Sequence, residues 1–149
     1  MRYLGVDTGT KRVGLALGDA GTGIVSPVAV LDATGDTAHL ARAILEVADN
    51  YGADAIVVGL PLNMDGTAGP QARLARRLAD TIQAQSDRPV HLHDERLTSH
   101  AADRRLAERG LTRAKKKARQ DAVAAQILLE SFLADRDKAP PDASSTGER

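Results

Sequence analysis

Two predicted strands with a helical segment between them constrain the fold of this chain more than any other feature. The first, Ala55 to Leu60, is a continuous apolar run rather than an alternating one, which is typical of a strand covered on both faces. The second, Val90 to Glu95, is also predicted to be a strand of the buried type, and residues 68–85 between them have helical spacing. Strand, helix and strand in this order form a parallel pair with a right-handed crossover, so the sequence predicts an α/β fold.

The segments before this unit predict an antiparallel opening to the same sheet. Leu4 to Val6 and Val13 to Leu17 are predicted to be short strands joined by a glycine-containing turn. A third strand is predicted from Ile24 to Leu31, at a sheet edge because Pro27 lacks the amide hydrogen that a central strand needs. Helical spacing then predicts a helix from Thr37 to Tyr51.

The C-terminal third of the chain is predicted to be helical and then to become irregular. Helical spacing covers Ser99 to Arg109 and again Gln120 to Ala134. A Pro-Pro pair at 140–141 and a tail of Ser, Asp and Gly follow. Since 149 residues suit a single domain, we expect one domain over residues 1–136 and a disordered tail over residues 137–149.

Composition restricts the chemistry that the chain can perform. There is no cysteine, which excludes disulfide bonds, thiolate-ligated zinc and a cysteine nucleophile. No stretch approaches the roughly 18 apolar residues of a membrane span, and the N-terminus lacks the apolar core of a secretion signal, so a cytoplasmic location is the default. Two tyrosines and one phenylalanine are too few for a platform that stacks single-stranded bases, so we expect any nucleic acid to be held by its backbone.

Charge is balanced overall but unevenly distributed along the chain. The 20 basic and 20 acidic residues cancel, so the whole chain lacks the strong positive charge of many nucleic-acid binders. The basic residues crowd towards a run that ends two residues before an aspartate, where cations can hold a phosphate backbone over a carboxylate site. The alternative is an ordinary solvated helix end or loop. The run consists of Lys115, Lys116, Lys117 and Arg119.

Three acidic residues stand at the ends of predicted elements. Asp7 follows the first strand, Glu95 ends the last strand and Asp121 opens the last helix. Ligands of open α/β sheets collect beyond the carboxyl ends of parallel strands, where Asp7 and Glu95 are placed. If Asp121 faces inward it joins them, and three converging carboxylates need cations to offset their repulsion. Mg²⁺ and Mn²⁺ prefer oxygen ligands, so the pattern predicts a site for two such ions.

Each acid also has an ordinary structural interpretation. Asp7 suits a turn, Glu95 is a possible partner for Arg96 or Arg104, and Asp121 is a first-turn acid that the helix dipole favours. Their joint placement favours two-metal hydrolysis, in which one ion activates a water and the other, about 3.5–4 Å away, stabilises the leaving oxygen. We assign Asp7 as the bridging ligand, with Glu95 and Asp121 completing either side.

The turn after Asp7 and the loop after the buried strand are candidate phosphate contacts. The turn carries amide and hydroxyl groups that suit a phosphate, although the same residues also suit an ordinary hairpin. Asn63 lies in a loop rich in Gly, Pro and Asn, before a helix N-terminus that favours an anion. The candidates in the turn are Thr8, Gly9, Thr10, Lys11 and Arg12.

Four motifs in a fixed order give a family resemblance. VDTGTKRVGLALGD, VVGLPLNMDGT, HDERLTS and the Lys-rich segment leading to DAVAAQILLESFL resemble the signatures of the YqgF/RuvX family, Holliday-junction resolvases also described as pre-16S rRNA nucleases. The resemblance covers roughly residues 1–135, with Ser99 where the family often has Thr. It implies an RNase H-like fold, with a five-stranded mixed sheet of order 3-2-1-4-5 and helices on both faces. The family's acidic positions fall on Asp7, Glu95 and Asp121.

The resemblance also bears on the residues around Glu95. His91 and His93 are predicted to share a strand face with Glu95, and a His-x-His pair can bind metal. We favour a structural role for both, because the resemblance assigns the metals to carboxylates. Arg96 is suited to clamp a phosphate through two hydrogen bonds or to form a structural ion pair, and Thr98 continues the same motif. Both are added to the candidate substrate contacts.

On this resemblance we expect a metal-dependent nuclease that acts on structured nucleic acid. The favoured substrate is the 5′ end of precursor 16S rRNA, with ribosome association as a corollary, and branched DNA is second because both present phosphate arrays to the same basic patch. Two other hypotheses stay open: a non-catalytic nucleic-acid-binding module, and a phosphate binder like the actin-like ATPases, which share the Asp-x-Gly-Thr turn but need two such domains. Either a monomer or a homodimer is compatible with the sequence.

Overall fold

The structure is a computed structural model that describes residues 1–33, 35–95 and 113–138, with the side chains of the last segment described over 123–136. Eight elements make up this part of the chain. In order they are β1 (Arg2–Thr8), β2 (Arg12–Asp19), β3 (Val25–Asp32), α1 (Thr37–Tyr51), β4 (Ala55–Leu60), α2 (Pro70–Gln85), β5 (Val90–Asp94) and α3 (Arg113–Lys138). The predicted helix at Ser99 to Arg109 and the predicted tail lie outside the described residues, so neither is tested.

The five strands form one mixed sheet of order β3-β2-β1-β4-β5, as predicted. β1 is antiparallel to β2 and parallel to β4, β2 is antiparallel to β3, and β4 is parallel to β5. The carboxyl ends of β1, β4 and β5 therefore meet at one edge of the sheet. This edge carries the candidate site.

Helices cover both faces of the sheet, and each face has its own apolar cluster. On one face α1 and α2 pack over alternate residues of β1, β2 and β4, and on the other α3 crosses the same strands. β4 is buried along its whole length, which confirms that its continuous apolar run is a strand covered on both sides. The prediction that β5 is also of the buried type is wrong, because β5 is an edge strand with no fully buried residue and Leu92 is 45% exposed. The largest fully buried side chains include Leu4, Leu15, Ile44 and Ile56 on the first face and Tyr3 and Leu129 on the second.

Two glycines allow α3 to lie close to the sheet. A Cβ atom built on Gly18 would be 2.9 Å from Cδ2 of Leu129, and one built on Gly5 would be 3.1 Å from Cβ of Leu129. The second would also lie 3.3 Å from the carbonyl oxygen of Ala125. A methyl group at Gly18 would force a neighbour to shift, and one at Gly5 would be tightly crowded, so these glycines allow the short distance between α3 and the central strands.

Several bounds differ from the sequence-based prediction. The hairpin strands are longer than expected, because pairing extends to Asp7 with Gly14 and Thr8 with Val13, so both residues lie in β1. α2 begins at Pro70 rather than 68, which suits the fixed backbone angle of proline at the first helical position. α3 begins at Arg113, seven residues before the predicted start at Gln120, since Ala, Lys and Arg are all good helix formers.

Other local predictions are confirmed. β3 is an edge strand, and a bulge at Val28 separates the pairs Leu15 with Ala29 and Ala16 with Pro27. α1 has the predicted bounds and ends at Gly52, whose φ of 67° is left-handed. Within the described residues, no helix is long and apolar enough to cross a membrane.

Candidate active site

Asp7 and Glu95 meet at the edge where the parallel strands end. Along β1, residues 3, 5 and 7 share the face that α3 covers, and along β5 residues 91 and 93 share it too. The Glu95 amide donates to the carbonyl oxygen of Leu60 at 3.1 Å, so the pairing of β5 with β4 extends to residue 95. Glu95 therefore lies on the same face of the sheet as residues 91 and 93. The two carboxyl groups are joined by a hydrogen bond. The structure thus brings together two of the three acids that the sequence singled out.

Gly59, a residue that sequence reasoning did not assign to the site, makes this contact possible. A Cβ atom built on Gly59 would lie 2.6 Å from Cδ and 2.8 Å from Cγ of Glu95. The Glu95 side chain therefore lies directly over the backbone of β4, in space that any other residue would fill. A lone glycine within an otherwise apolar strand was the available signal, because such a glycine often marks a close approach of another group.

Burial and neighbouring charge change the protonation of Glu95. Burial, followed by the hydrogen bond with Asp7 and the charges of Asp7 and Asp94, raises the pKa of Glu95 from 4.5 to about 10. Without a cation, a proton is therefore held between the two groups, and the Glu95 carboxyl donates to the Asp7 carboxylate. A divalent cation would offset the repulsion that keeps this proton in place.

Asp121, the third predicted ligand, lies in α3. It is four residues before Ala125, and positions four apart lie on the same face of a helix. The side chain of Asp121 is outside the described residues. Its part in the site therefore stays a prediction.

The turn between β1 and β2 is tight and depends on glycine. The Gly9 amide donates to the carbonyl oxygen of Arg12 at 2.8 Å, and a Cβ atom on Gly9 would be 2.7 Å from that oxygen. Thr10 and Lys11 are exposed at its tip. The hydroxyl oxygen of Thr8 is buried and has no hydrogen-bond partner among the described residues. Since alternate residues of a strand point to opposite faces, Thr8 faces α1 and α2, away from the carboxylates.

The loop after β4 is held by its own hydrogen bonds. The Asn63 amide nitrogen Nδ2 donates to Oγ1 of Thr67 at 3.0 Å, and the Thr67 amide donates to Oδ1 of Asp65 at 2.9 Å. Gly66 has a φ of 89°, which the turn requires. The side-chain amide of Asn63 thus organises the loop, and its predicted contact with substrate stays a prediction.

The two histidines of β5 pack against α3. His93 Nε2 lies 3.0 Å from Oγ of Ser131, and the rings of His91 and His93 are 5.3 and 5.8 Å from that of Phe132. Burial lowers the pKa of His93, although Asp135 and Asp94 oppose this shift. These contacts support the structural role favoured for the pair. In the part of the chain that is described, no three His, Asp or Glu side chains form a metal cluster.

The remaining candidate contacts fall largely beyond the described side chains. Arg96 and Thr98 lie outside the described residues altogether. The Lys115 to Arg119 run lies in the first turns of α3, so its backbone is helical, but its side chains are not among those described. Its role stays a prediction.

Solved structures with a similar fold include two Holliday-junction resolvases in complex with their substrates. Thermus thermophilus RuvC aligns with a TM-score of 0.55 and 13% identity, over 93% of this chain and 96% of that one. The fowlpox virus resolvase aligns with a TM-score of 0.54 and 14% identity, over 91% of this chain and 98% of that one. Resolvases of this type have an RNase H-like fold, so the fold predicted from the resemblance is confirmed.

Curated relatives found by sequence have a higher sequence identity to this chain than these structures, and the matches cover most of both chains. A protein of Anaeromyxobacter dehalogenans (strain 2CP-C) is 46% identical over 133 residues, 89% of this chain and 96% of the relative. One of Acidiphilium cryptum is 42% identical over 132 residues, 89% of this chain and 83% of the relative. Both are named "Putative pre-16S rRNA nuclease". The family model described as "RuvX: Holliday junction resolvase" matches residues 1–135. This chain therefore belongs to the RuvX family.

Proposed function

We propose that this protein is a nuclease that hydrolyses phosphodiester bonds of structured nucleic acid with Mg²⁺ or Mn²⁺ bound by Asp7, Glu95 and Asp121. The observation that carries the proposal is the buried pair of Asp7 and Glu95 at the carboxyl ends of β1 and β5. Two carboxyl groups in such contact hold a proton unless a cation offsets their charge. A paired carboxylate site with this property suits hard divalent cations, which prefer oxygen ligands.

The path of α3 supports Asp121 as the third ligand. Phe132 packs on Tyr3 with ring centroids 5.4 Å apart, and the carbonyl oxygen of Ala125 lies 3.3 Å from a Cβ built on Gly5. Earlier positions of α3 thus lie beside later positions of β1. One helical turn before Ala125 is Asp121, and two residues after Gly5 in β1 is Asp7. The same path would therefore bring Asp121 beside Asp7.

In this mechanism the protein residues bind, orient and hold protons. The ions, when bound, supply the positive charge that lowers the pKa of water and stabilises the leaving oxygen. Asp7, Glu95 and Asp121 would hold these ions at the sheet edge, and Glu95 would have to be deprotonated to act as a ligand. The backbone amides of the Thr8 to Arg12 turn and the Thr10 hydroxyl would orient the substrate phosphate, with Asn63, Arg96 and Thr98 beside it. Lys115, Lys116, Lys117 and Arg119 would hold the backbone by charge.

We propose precursor 16S rRNA as the substrate and branched DNA as the alternative. Relatives of nearly the same length, 41–46% identical, bear the rRNA nuclease name, whereas the junction-bound structures are 13–14% identical and share the fold. Cytoplasmic location and contact with assembling ribosomes follow from an rRNA substrate. The ATPase alternative has no support beyond the shared turn, because membership of the RuvX family accounts for that motif as well.

A direct test compares purified precursor 16S rRNA with a synthetic four-way DNA junction, each incubated with Mn²⁺ or with EDTA. We expect metal-dependent cleavage of the rRNA, and Asp7→Asn should abolish it with binding largely intact, because charge is lost but little volume. The matched control is Asp80→Asn, an exposed position on α2, which should keep full activity. Cleavage by the Asp7→Asn protein would remove Asp7 from the site. Binding without cleavage by the unaltered protein would favour the non-catalytic module.

A further inference from the structure

A cavity lies at the same sheet edge as the carboxylates but on the opposite face. It has a volume of about 140 Å³, is open to solvent on one side and is bordered by the β1–β2 turn and the N-terminal halves of α1 and α2. Its apolar walls include Val13, Leu40, Leu74 and Leu78. The proposed metal ligands Asp7 and Glu95 do not line this cavity, which shares only the residues Thr8, Gly9 and Thr10 with the turn that would orient the phosphate.

Polar groups surround the apolar walls. Thr8, Thr37 and Gln71 line the cavity together with the N-cap residue Asp36, whose carboxylate accepts from the His39 amide at 2.6 Å. The Thr8 hydroxyl is the buried group that has no partner among the described residues. A buried polar group without a partner is costly, so a ligand that brings a polar group to Thr8 would gain affinity.

The size of the cavity matches one six-membered ring. An apolar protein cavity of about 150 Å³ accommodates benzene, and this one has about 140 Å³. A pyrimidine base is a ring of that size with carbonyl and imino groups at its edge, whereas a purine has a second fused ring. Apolar walls with a polar rim therefore suit a pyrimidine.

Basic side chains stand next to the cavity. Lys11 is exposed at the tip of the turn, and Arg77 is exposed on α2, one turn after the cavity residue Leu74. Neither side chain forms an ion pair within the described residues. Both are free to contact the phosphates of a nucleotide whose base lies in the cavity.

We propose that this cavity, the base pocket (Thr8, Val13, Thr37, Leu40, Gln71, Leu74 and Leu78), binds one unstacked pyrimidine base of the strand whose phosphate reaches Asp7 and Glu95. Thr8 and Asp7 are neighbours in β1 that point to opposite faces, so a nucleic-acid strand crossing the edge can offer a phosphate to one face and a base to the other. The substrate would then be unpaired beside the cut. This inference rests on the proposed function, because it takes the bound strand to be the nuclease substrate. Its test measures binding alone and does not depend on cleavage.

The test measures binding of three RNA-like hexamers: hexauridine, hexa-adenosine and a hexamer of ribose phosphate without bases. Binding is followed by fluorescence anisotropy in EDTA, so that no cleavage occurs. Hexauridine should bind about 10-fold more tightly than the abasic strand, as expected from burial of one ring, and more tightly than hexa-adenosine. Equal binding of hexauridine and the abasic strand, or preference for adenosine, would overturn the proposal.

Two variants locate the effect. Leu74 is 47% exposed at the cavity wall, so the Leu74→Trp protein should fold, and its indole should fill the pocket. The ratio of the affinities for hexauridine and the abasic strand should then fall to about 1, with the affinity for the abasic strand unchanged. Ile24→Trp, at a 67% exposed position in a groove at the other end of the sheet, is the matched control and should keep the preference. Leu74→Ala should also weaken the preference by removing an apolar wall. A preference that survives in both Leu74 variants would contradict the pocket.

The outcomes separate this inference from the proposed function. A uridine preference that depends on Leu74, in a protein that cleaves neither rRNA nor a junction, would support the pocket and reject the nuclease. Metal-dependent cleavage without any base preference would reject the pocket alone.

Discussion

Glu95 and Asp7 share a proton because two negative charges, buried and in contact, would repel each other strongly. A residue-scale consequence is that the stability of the metal-free protein should depend on pH. The pKa of Glu95 is raised from 4.5 to about 10 in the folded state, so folding takes up a proton between these values. The stabilisation is fully present below pH 4.5 and is lost as pH rises towards 10.

Denaturant unfolding in EDTA from pH 5 to 9 measures this effect. The free energy of unfolding should fall by up to about 1 kcal/mol per pH unit from this group. Glu95→Gln should remove that slope, because its amide does not titrate. Glu46→Gln, an exposed position on α1, is the matched control and should keep the slope. If Glu95→Gln leaves the profile as it was, the proton is not held at Glu95.

Gly59 leads to a second prediction at the residue scale. An added Cβ would lie 2.6 Å from Cδ of Glu95, so Gly59→Ala should displace this flexible side chain rather than the strand. Since we propose Glu95 as a metal ligand, displacing it by about 1 Å should lower kcat on the order of 100-fold, with a small change in melting temperature. Gly21→Ala is the control, because its Cβ would be 3.4 Å from its nearest neighbour, Oδ1 of Asp19. Full activity in Gly59→Ala would mean that Glu95 needs no such space.

At the scale of elements, close packing of α3 on β1 and β2 sets the position of this helix relative to the sheet. Gly18→Ala would place a Cβ 2.9 Å from Cδ2 of Leu129. We expect a loss of about 1–3 kcal/mol in the free energy of unfolding, as for overpacked cores. Leu129→Ala alone should cost about 2–5 kcal/mol.

A double-mutant cycle tests whether that loss comes from this contact. The Gly18→Ala, Leu129→Ala double variant should be more stable than the sum of the single effects predicts, because the smaller residue 129 admits the added methyl group. Chemical denaturation of all four proteins gives the coupling energy. Strict additivity would show that the cost of Gly18→Ala arises elsewhere, for example at Val25, whose Cγ2 lies 3.0 Å from the built Cβ.

For the whole molecule, a divalent ion should stabilise the folded state by mass action. With Mg²⁺ at about 100 times its Kd, the melting temperature should rise by about 5–10 °C. The rise should be larger at pH 8 than at pH 6, because binding requires loss of the Glu95 proton. Differential scanning calorimetry with Mg²⁺ or EDTA measures both.

Glu95→Gln combined with Asp121→Asn should abolish this metal-dependent rise, while Asp80→Asn should keep it. If the unaltered protein shows no rise at either pH, the assignment of Asp7, Glu95 and Asp121 as a metal site is wrong, even though the fold is correct. A rise that persists in the double variant would place the ion elsewhere.

Much of the fold could be predicted because its signals are local. The α1 bounds follow from apolar spacing and from Gly52, and the edge position of β3 follows from Pro27, each within a few residues of chain. Strand order came from the family resemblance, since periodicity alone does not order strands. The two strands of the hairpin were predicted too short. Their last pairs, Asp7 with Gly14 and Thr8 with Val13, depend on the register between the strands, which the local sequence pattern does not give.

By itself, the sequence predicted the five strands, the helices α1, α2 and α3, and the position of Asp7 and Glu95 at the ends of parallel strands. Only the tertiary structure decided that the Glu95 side chain lies over Gly59 and shares a proton with Asp7, and that Thr8 faces a cavity instead. The physical reason is that periodicity reports which residues face apolar or polar surroundings, whereas these contacts depend on how distant strands align. The parallel register of β4 with β1 and β5 brings Gly59 beneath Glu95 and beside Asp7.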